Sequence, residues 1–344
     1  MKDSIIWAPL TSNIDQIEEA IHSNDGIPHY VRIDTTSAND PDRNLISLAL
    51  RDSSSKELLV GLTKLGFYTY WNTTNETRLI HHDRVSRHWP AVKDGTYTTS
   101  SCGLVYSYEP PSAGIAERLV VVFSPLSSRP RLARYFMQSF KTIQKYLPPQ
   151  TAILRIADLG GVKGAFYLNT KFLPNNADKV ANFINQIIKD KAIAENNVVL
   201  YGASKGATAA VYHGITSGLK FVAVDPVLAD EWYEKHNGDY HFTADGIFCQ
   251  SKEAVFETVI RNASVASQTS YHGSIVITAP QSPQQSYIYK ALGPIAAHLT
   301  FLESTNPMIT EHPEVAPNTI YAQVLAINLL LLGQSLPEQT FEVP

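Results

Sequence analysis

The segment NVVLYGASKGATAAVYHG, residues 197–214, gives the clearest indication of the fold. The apolar residues of a strand lead into Gly-Ala-Ser-Lys-Gly, and small residues with helical spacing follow. This G-x-S-x-G pattern between a strand and a helix predicts that Ser204 is a nucleophile, held exposed on a sharp turn. The alternatives are an ordinary turn that contains a serine, and a phosphate-binding loop. The phosphate loop fits poorly, because its lysine precedes the hydroxyl residue, whereas Lys205 follows Ser204.

Strands and helices alternate on both sides of this stretch, which predicts a mostly parallel sheet with helices on both faces. Ligands then bind at the carboxyl ends of the strands. The predicted strands are at 118–125, 151–158, 197–202, 220–226, 274–280 and 299–304, and the predicted helices are at 131–147, 177–194, 206–217 and 319–333.

The first part of the chain has a different pattern, with short β-type runs separated by polar turns, typical of antiparallel strands. A helix is predicted at 13–23, and EPPSAG at 109–114 indicates a linker or wide turn. We therefore predict a strand-rich domain at 1–110, without a phosphate loop, and a catalytic domain at 111–344 with an inserted lid segment at 227–273. The β-type runs are at 29–34, 45–50, 57–62, 67–72, 78–82 and 103–109.

A serine nucleophile needs a general base, and in nucleophile-elbow proteins the chain order is serine, acid, histidine. Among the 11 histidines, His312 lies in the loop after the last predicted core strand, where this base is expected. His298 precedes that strand and would lie at the wrong edge of the sheet. His213 lies within the predicted elbow helix and would face away.

The acid that orients this histidine usually follows the strand before the last one. Residues 279–302, which run from the end of the predicted strand SIVITAP into the last predicted core strand, contain no Asp or Glu. Asp225 ends the strand next to the serine strand, so it is our choice, in an arrangement that resembles pancreatic-type lipases. Asp230 is the second candidate and Glu303 the third. The alternative role for Asp225 is a cap or turn residue before a proline.

An oxyanion hole requires two oriented N–H groups. Lys205 would supply one through its backbone, and Leu126 or Ser127 the other; Pro125 has no N–H. The Lys205 side chain is expected to be solvated. The charged run HHDRVSRH at 81–88 matches no zinc signature, so we predict a solvated strand or loop there and no metal site.

Composition excludes several classes of protein. The net charge of −4 gives no basic surface for nucleic acid, and the apolar run VLAINLLLLG is too short to span a membrane. The N-terminal residues do not resemble a signal peptide. Two isolated cysteines, Cys102 and Cys249, are expected to be free thiols in a reducing compartment, so we predict a cytoplasmic protein.

With this triad in place, residues from about 110 to 335 resemble an α/β-hydrolase domain. The segments VVLYGASKGA, AVDP and EHP…NTIYAQVLAINLLL further resemble XcbB/CpsF-type capsular polysaccharide biosynthesis proteins, and the chain is similar to bacterial serine-dependent carbohydrate O-acetyltransferases. The resemblance implies a strand-rich N-terminal part joined to a hydrolase core.

The first functional hypothesis is transfer of an acyl group, through Ser204, from a small donor such as acetyl-CoA to a sugar hydroxyl of a surface polysaccharide. No bound cofactor is expected. Aromatic residues could stack on the sugar, although each could equally lie in the core. The alternatives are an esterase or peptidase with the same triad, and a non-catalytic component of a polysaccharide machine. The sequence does not indicate the oligomeric state. The aromatic candidates are Trp71, Trp89, Trp232, Tyr233 and Tyr240.

Overall fold

The structure, a computed structural model, describes residues 4–23, 26–38, 44–129, 131–265 and 270–344. The described strands are β1 (Ile5–Pro9), β2 (Tyr30–Asp34), β3 (Phe67–Asn72), β4 (Glu76–His81), β5 (Thr98–Thr99), β6 (Val105–Glu109), β7 (Arg118–Phe123), β8 (Thr151–Ile156), β9 (Val198–Ala203), β10 (Lys220–Val224), β11 (Ser274–Thr278), β12 (Leu299–Ser304) and β13 (Thr340–Val343). The described α-helices are α1 (Ile14–His22), α2 (Leu45–Ala49), α3 (Ser53–Lys64), α4 (His82–His88), α5 (Pro90–Lys93), α6 (Asn176–Asp190), α7 (Lys205–Ser217), α8 (Glu231–His236), α9 (Lys252–Val265), α10 (Gln285–Leu292), α11 (His312–Asn318) and α12 (Ile320–Leu331).

A nine-stranded sheet forms the centre of the fold, in the order β13-β12-β11-β10-β9-β7-β8-β6-β5. The strands from β7 to β13 pair in parallel, while β6 and β5 are antiparallel at one edge. Because all the parallel strands run the same way, their carboxyl ends meet along one rim. The predicted α/β-hydrolase core is confirmed.

The sheet is buried on both faces, which is why its strands are continuous apolar runs. Along β9, Val198 and Leu200 belong to the apolar cluster on one face, while Val199 and Tyr201 belong to the cluster on the other. Helices α7 and α9 pack on the first face, and the very apolar α12 packs on the second. The strand that leads to Ser204 is therefore fixed from both sides.

The N-terminal region differs from the prediction in two ways. Its four-stranded sheet, β1-β2-β4-β3, is mixed rather than antiparallel, since β1 pairs in parallel with β2. The β-type runs at 45–50 and 57–62 are helical, in α2 and α3. Capping explains this difference: the Asn44 side chain accepts from the Ser47 backbone at 3.0 Å, and Asp52 accepts from Ser55 at 2.7 Å.

The segment 131–147, predicted to be one helix, contains only two short 3-10 turns, Leu132–Tyr135 and Ile143–Tyr146. The reason is the fully buried side chain of Arg134, whose guanidinium donates to the backbone oxygens of Val162 and Thr69, each at 2.7 Å. These tertiary bonds oppose a continuous helix, and local helical spacing does not reveal them. Strand β13 was also not predicted.

The predicted boundary at residue 110 lies between β6 and β7, which are both strands of the large sheet. The segment 227–273 contains α8 and α9; α9 contributes Phe256 to the main core, and the region around α8 faces the carboxyl rim. Cys102 and Cys249 are free and exposed, as expected. Among the helices of the described residues, none has the length and apolar character needed to cross a membrane.

His213, on α7, is buried and stacks on the Phe123 ring at 5.6 Å between centroids. Burial lowers its pKa to about 4 from the ordinary 6.5. The unfolded chain therefore takes up the proton first as the pH falls. The stability that His213 contributes is complete above pH 6.5 and is lost progressively toward pH 4.

Replacing His213 with Leu is therefore expected to reduce the acid sensitivity of the fold. Between pH 7.5 and 4.5, the free energy of unfolding should fall by about 2 kcal/mol less in His213→Leu than in the wild type. Urea denaturation at both values measures this difference. The matched control is His236→Leu at an exposed position, which should behave like the wild type. Equal losses in wild type and His213→Leu would show that His213 is not the group responsible.

Candidate active site

Ser204 lies at the turn between β9 and α7 with φ 52° and ψ −117°. A non-glycine residue with this backbone conformation is strained, and such strain is typical of the serine in a nucleophile elbow. The turn is fixed by the Ser204 backbone N–H, which donates to the oxygen of Val224 at 2.8 Å. The side chain is thereby lifted above the carboxyl rim of the sheet.

The two glycines of the pattern are required by close approach. A Cβ on Gly202 would lie 2.1 Å from the carbonyl carbon of Gly206, and a Cβ on Gly206 would lie 2.5 Å from the oxygen of Phe123. Neither contact is sterically allowed. The G-x-S-x-G spacing thus lets α7 begin directly against β9 and β7.

The structure brings the three predicted catalytic side chains together. The Ser204 hydroxyl lies 2.8 Å from Nε2 of His312, and Nδ1 of His312 lies 2.7 Å from Oδ2 of Asp225. Asp225 is 1% exposed and His312 is 8% exposed. In the tautomer that fits this geometry, Nδ1–H donates to the carboxylate and the bare Nε2 accepts from the serine hydroxyl. His312 is the first residue of α11 rather than part of an irregular loop.

Asp225 is held in place by the neighbouring strand. Its carboxylate accepts hydrogen bonds from the hydroxyls of Thr278, at 2.7 Å, and Ser282, while its backbone N–H donates to Ile277. Both hydroxyls lie at the end of β11, where the acid is usually found. This place holds no acid but supports one, and the hydroxyl residues Thr278 and Ser282 at and after the end of β11 are the sequence signal for that role.

The other two acid candidates are engaged elsewhere. Asp230 forms a buried ion pair with Lys252 and also accepts from that residue's backbone N–H at 2.9 Å. Glu303 accepts from the Gln285 amide at 2.8 Å and from the Tyr289 hydroxyl at 2.7 Å. Of the three candidates, Asp225 is the one that contacts His312.

The prediction that the Lys205 side chain is solvated is wrong. It is 0% exposed, and its ammonium lies 2.6 Å from the Asp158 carboxylate, which also accepts the backbone N–H groups of Phe166 and Tyr167 at 3.0 Å each. Burial lowers the pKa of Lys205, and the Asp158 charge opposes this effect. The elbow is therefore tied at its base to the turn that follows β8, and Asp158 was not singled out in the sequence.

The backbone groups proposed for an oxyanion hole belong to the first residue of α7 and to the loop that follows β7. Lys205 is the first residue of α7, where helix N–H groups have no intrahelical acceptor. Leu126 lies in the wall of the cavity that contains Ser204. Ser127 is buried, and its hydroxyl accepts from the Arg129 backbone at 3.3 Å. The role of these N–H groups as donors to a reacting oxygen stays a prediction.

A cavity of about 600 Å³ opens above Ser204 and His312. Its wall is mostly apolar and aromatic, which suits a site that must exclude water around an acyl group. Part of it comes from the first loop after β7, part from the segment 227–273, and part from the region of α11 and α12. The lining includes Leu126, Met137, Phe140, Tyr201, Trp232, Tyr233, Asn237, Tyr240, His241, Pro283, Glu311, Pro317, Ile320 and Gln323.

Among the other histidines of the described residues, His241 also lines this cavity, whereas His272 and His298 lie away from it. In the described residues, His272, His298 and Glu338 place potential metal-ligand atoms within 4.8 Å of one another, at the amino ends of β11 to β13 and so at the opposite rim from Ser204. The run at 81–88 is not a solvated strand or loop, because it ends β4 and forms α4. His82 is largely buried within it, and burial lowers its pKa to about 4.

Comparison with protein-family models and with curated proteins finds no match to this chain. Solved structures are similar at low identity. A chain of the Glycosylation Associate Protein (Gap123) complex from Streptococcus agalactiae aligns with 12% identity and a TM-score of 0.47, over 73% of this chain and 48% of that one. This chain thus spans about half of that chain.

The alignment with this chain covers almost the whole length of two further solved structures. The fluorophosphonate-binding serine hydrolase F of Staphylococcus aureus aligns with 11% identity and a TM-score of 0.48, over 68% of this chain and 96% of that one. The capsule O-acetyltransferase of Neisseria meningitidis serogroup A aligns with 13% identity and a TM-score of 0.48, over 67% and 93%. The order and direction of the strands, with the strained serine turn between β9 and α7, give this chain the α/β-hydrolase fold.

Proposed function

We propose that the protein is a serine-dependent acyltransferase in which Ser204, His312 and Asp225 act as a catalytic triad. The observation that carries the proposal is the continuous hydrogen-bond chain from the Ser204 hydroxyl through both ring nitrogens of His312 to the buried Asp225 carboxylate. A serine, a base and an orienting acid in this geometry form the nucleophilic machinery of acyl transfer.

In the first half-reaction, the Ser204 oxygen bonds to the carbonyl carbon of an acyl donor while its proton passes to Nε2 of His312. The negative oxygen that develops would be stabilised by backbone N–H groups, with Lys205 and Leu126 as the candidates. The bond to the leaving group then breaks, and His312 gives that group its proton. Asp225 stabilises the protonated imidazole throughout.

In the second half-reaction, an acceptor hydroxyl gives its proton to His312 and its oxygen bonds to the acyl carbon. The bond to Ser204 breaks, and the serine recovers the proton from His312. Water would compete as the acceptor, so transfer requires a cleft that admits the alcohol and limits water. The apolar wall of the cavity supports this requirement.

The acceptor that we propose is a carbohydrate hydroxyl of a bacterial surface polysaccharide, such as a capsule, or of its precursor, with a small acyl donor such as acetyl-CoA. Trp232 and Tyr240 line the cavity and could stack on a sugar ring. The capsule part of the proposal rests on the resemblance of the elbow, AVDP and α11–α12 segments.

The experiment is to offer an activated acetyl donor, p-nitrophenyl acetate, with and without a mixture of methyl glycosides. We expect O-acetylated glycoside, detected by mass spectrometry, to form in proportion to acceptor concentration and to disappear in Ser204→Ala. Acetyl-CoA in place of the ester tests the natural donor through thiol release. If acetate is the sole product at every acceptor concentration, the protein is an esterase rather than a transferase.

A further inference from the structure

A second histidine faces the cavity of the proposed active site. His241 lies on the segment 227–273, is 3% exposed and shares the cavity wall with Ser204 and His312. Its Nδ1 is sealed from solvent and has no hydrogen-bond partner in the described structure. A buried ring nitrogen without a partner in a mostly apolar wall costs free energy unless it serves a ligand or a particular tautomer.

The tautomer follows from this burial. A buried N–H without an acceptor is rarer in proteins than a buried acceptor without a donor. The proton of the neutral ring is therefore on Nε2, and the bare Nδ1 faces the interior. Nε2 is the nitrogen through which the ring can meet a molecule in the cavity. His241 accordingly offers the cavity one hydrogen-bond donor.

The surroundings keep this ring uncharged. Burial lowers the pKa of His241 well below its usual value, and the nearby positive charges of Lys252 and Lys163, with that of a protonated His312, lower it further. The ring therefore meets its ligand as a neutral hydrogen-bond donor and not as a cation.

The His241 ring is held rigidly, and one side chain, Tyr233, separates it from His312, the proposed base. It packs against Tyr233 with centroids 3.6 Å apart, and Tyr233 contacts the His312 ring edge-on at 6.3 Å. The loop that carries it is pinned by the Asp239 carboxylate, which accepts from the Thr243 backbone at 2.7 Å and pairs with Lys56 at 2.8 Å. His241 is thus oriented before any ligand binds.

The position of His241 identifies which part of a substrate it meets. In acyl transfer, His312 exchanges a proton with the alcohol oxygen, so the alcohol part must lie beside Nε2 of His312. The wall that continues from His312 is formed by Tyr233, His241 and Tyr240. The alcohol part of the substrate therefore passes along this wall.

We propose that His241 is a specificity residue, whose Nε2–H donates to a second oxygen of the alcohol part and so selects polyhydroxylated alcohols over simple ones. The inference rests on the proposed function and deepens it, because it names the substrate class. A site that hydrogen-bonds a substrate hydroxyl discriminates strongly against an analogue that lacks it.

The test compares two acetate esters of matched shape, methyl 6-O-acetyl-β-glucopyranoside and cyclohexylmethyl acetate, which lacks the ring and hydroxyl oxygens. The readout is the ratio of their kcat/KM values. His241→Phe is expected to lower this ratio about 10-fold, the effect of losing one hydrogen bond of about 1.4 kcal/mol. His241→Gln, which keeps a donor, should restore most of it, and His272→Phe at the opposite rim should leave it unchanged.

Labelling of Ser204 by a fluorophosphonate in each variant checks that the site is folded. An unchanged ratio in His241→Phe, or an equal loss in His241→Gln, would overturn the proposal. A second arm does not depend on catalysis. Two proteins are compared by saturation-transfer NMR, Ser204→Ala and the double variant Ser204→Ala, His241→Phe. The first should give a binding signal for the glucoside ester, and the second should give none. This arm decides the role of His241 even if Ser204 proves unreactive and the proposed function fails.

Discussion

Replacing Ser204 with Ala is expected to abolish acyl transfer and covalent labelling by a fluorophosphonate probe together. The loss of turnover should be roughly 10⁶-fold, the size found when a triad serine is removed. The fold should be unaffected, because an alanine can occupy the turn at the same backbone cost as the serine, φ 52°. Labelling measured by mass spectrometry, with steady-state turnover in parallel, tests both parts.

Ser139→Ala is the matched control, since Ser139 also lines the cavity but has no contact with His312 in the described structure. It should keep the labelling of the wild type. Labelling of Ser204→Ala to the same extent as the wild type would show that the reactive residue is elsewhere and would refute the proposed nucleophile.

Replacing Asp225 with Asn is expected to lower kcat by roughly 10⁴, the effect of neutralising a triad acid. An amide cannot stabilise the protonated imidazole, and its NH₂ would favour the wrong tautomer of His312. The protein should remain folded, because the Thr278 hydroxyl can still donate to the amide oxygen, and the Ser282 hydroxyl can turn to accept from the amide NH₂. Fluorophosphonate labelling of Ser204 should become slower without disappearing.

Glu303→Gln is the matched control for this change. Glu303 bonds Gln285 and Tyr289 rather than His312, so its neutralisation should leave turnover near that of the wild type. Asp230→Asn is less suitable, since it would leave Lys252 buried without its charged partner. If Asp225→Asn kept near-normal turnover while Glu303→Gln lost its turnover, Asp225 would not be the acid that orients His312.

The parallel core could be predicted because a strand buried on both faces must be apolar along its whole length. Strands β7, β9 and β10 have this property, and each was located within a residue or two. The elbow was equally accessible, since the G-x-S-x-G pattern lies within five consecutive residues between a strand and a helix. The place of His312 followed from chain order, and that of Asp225 from the absence of an acid after β11.

What the sequence did not reveal depends on partners far along the chain. The burial of Lys205 follows from Asp158, and the interruption of the helix predicted at 131–147 follows from the bonds of Arg134 to Val162 and Thr69. No local pattern encodes such pairs. The helices α2 and α3 are a different case. Their capping residues Asn44 and Asp52 are visible in the sequence and indicate helix starts, although their apolar runs resemble strands.

The ion pair between Lys205 and Asp158 has a consequence for motion. If α7 lifted away from the turn after β8, an ammonium and a carboxylate would separate in an interior closed to water, since both side chains are 0% exposed. Separating such a pair costs on the order of 3–5 kcal/mol, and the backbone bonds of Phe166 and Tyr167 would weaken with it. By this cost, only about one molecule in 10² to 10⁴ would have the elbow open at any moment. The strained serine therefore keeps its reactive geometry for nearly all of the time that the protein is folded.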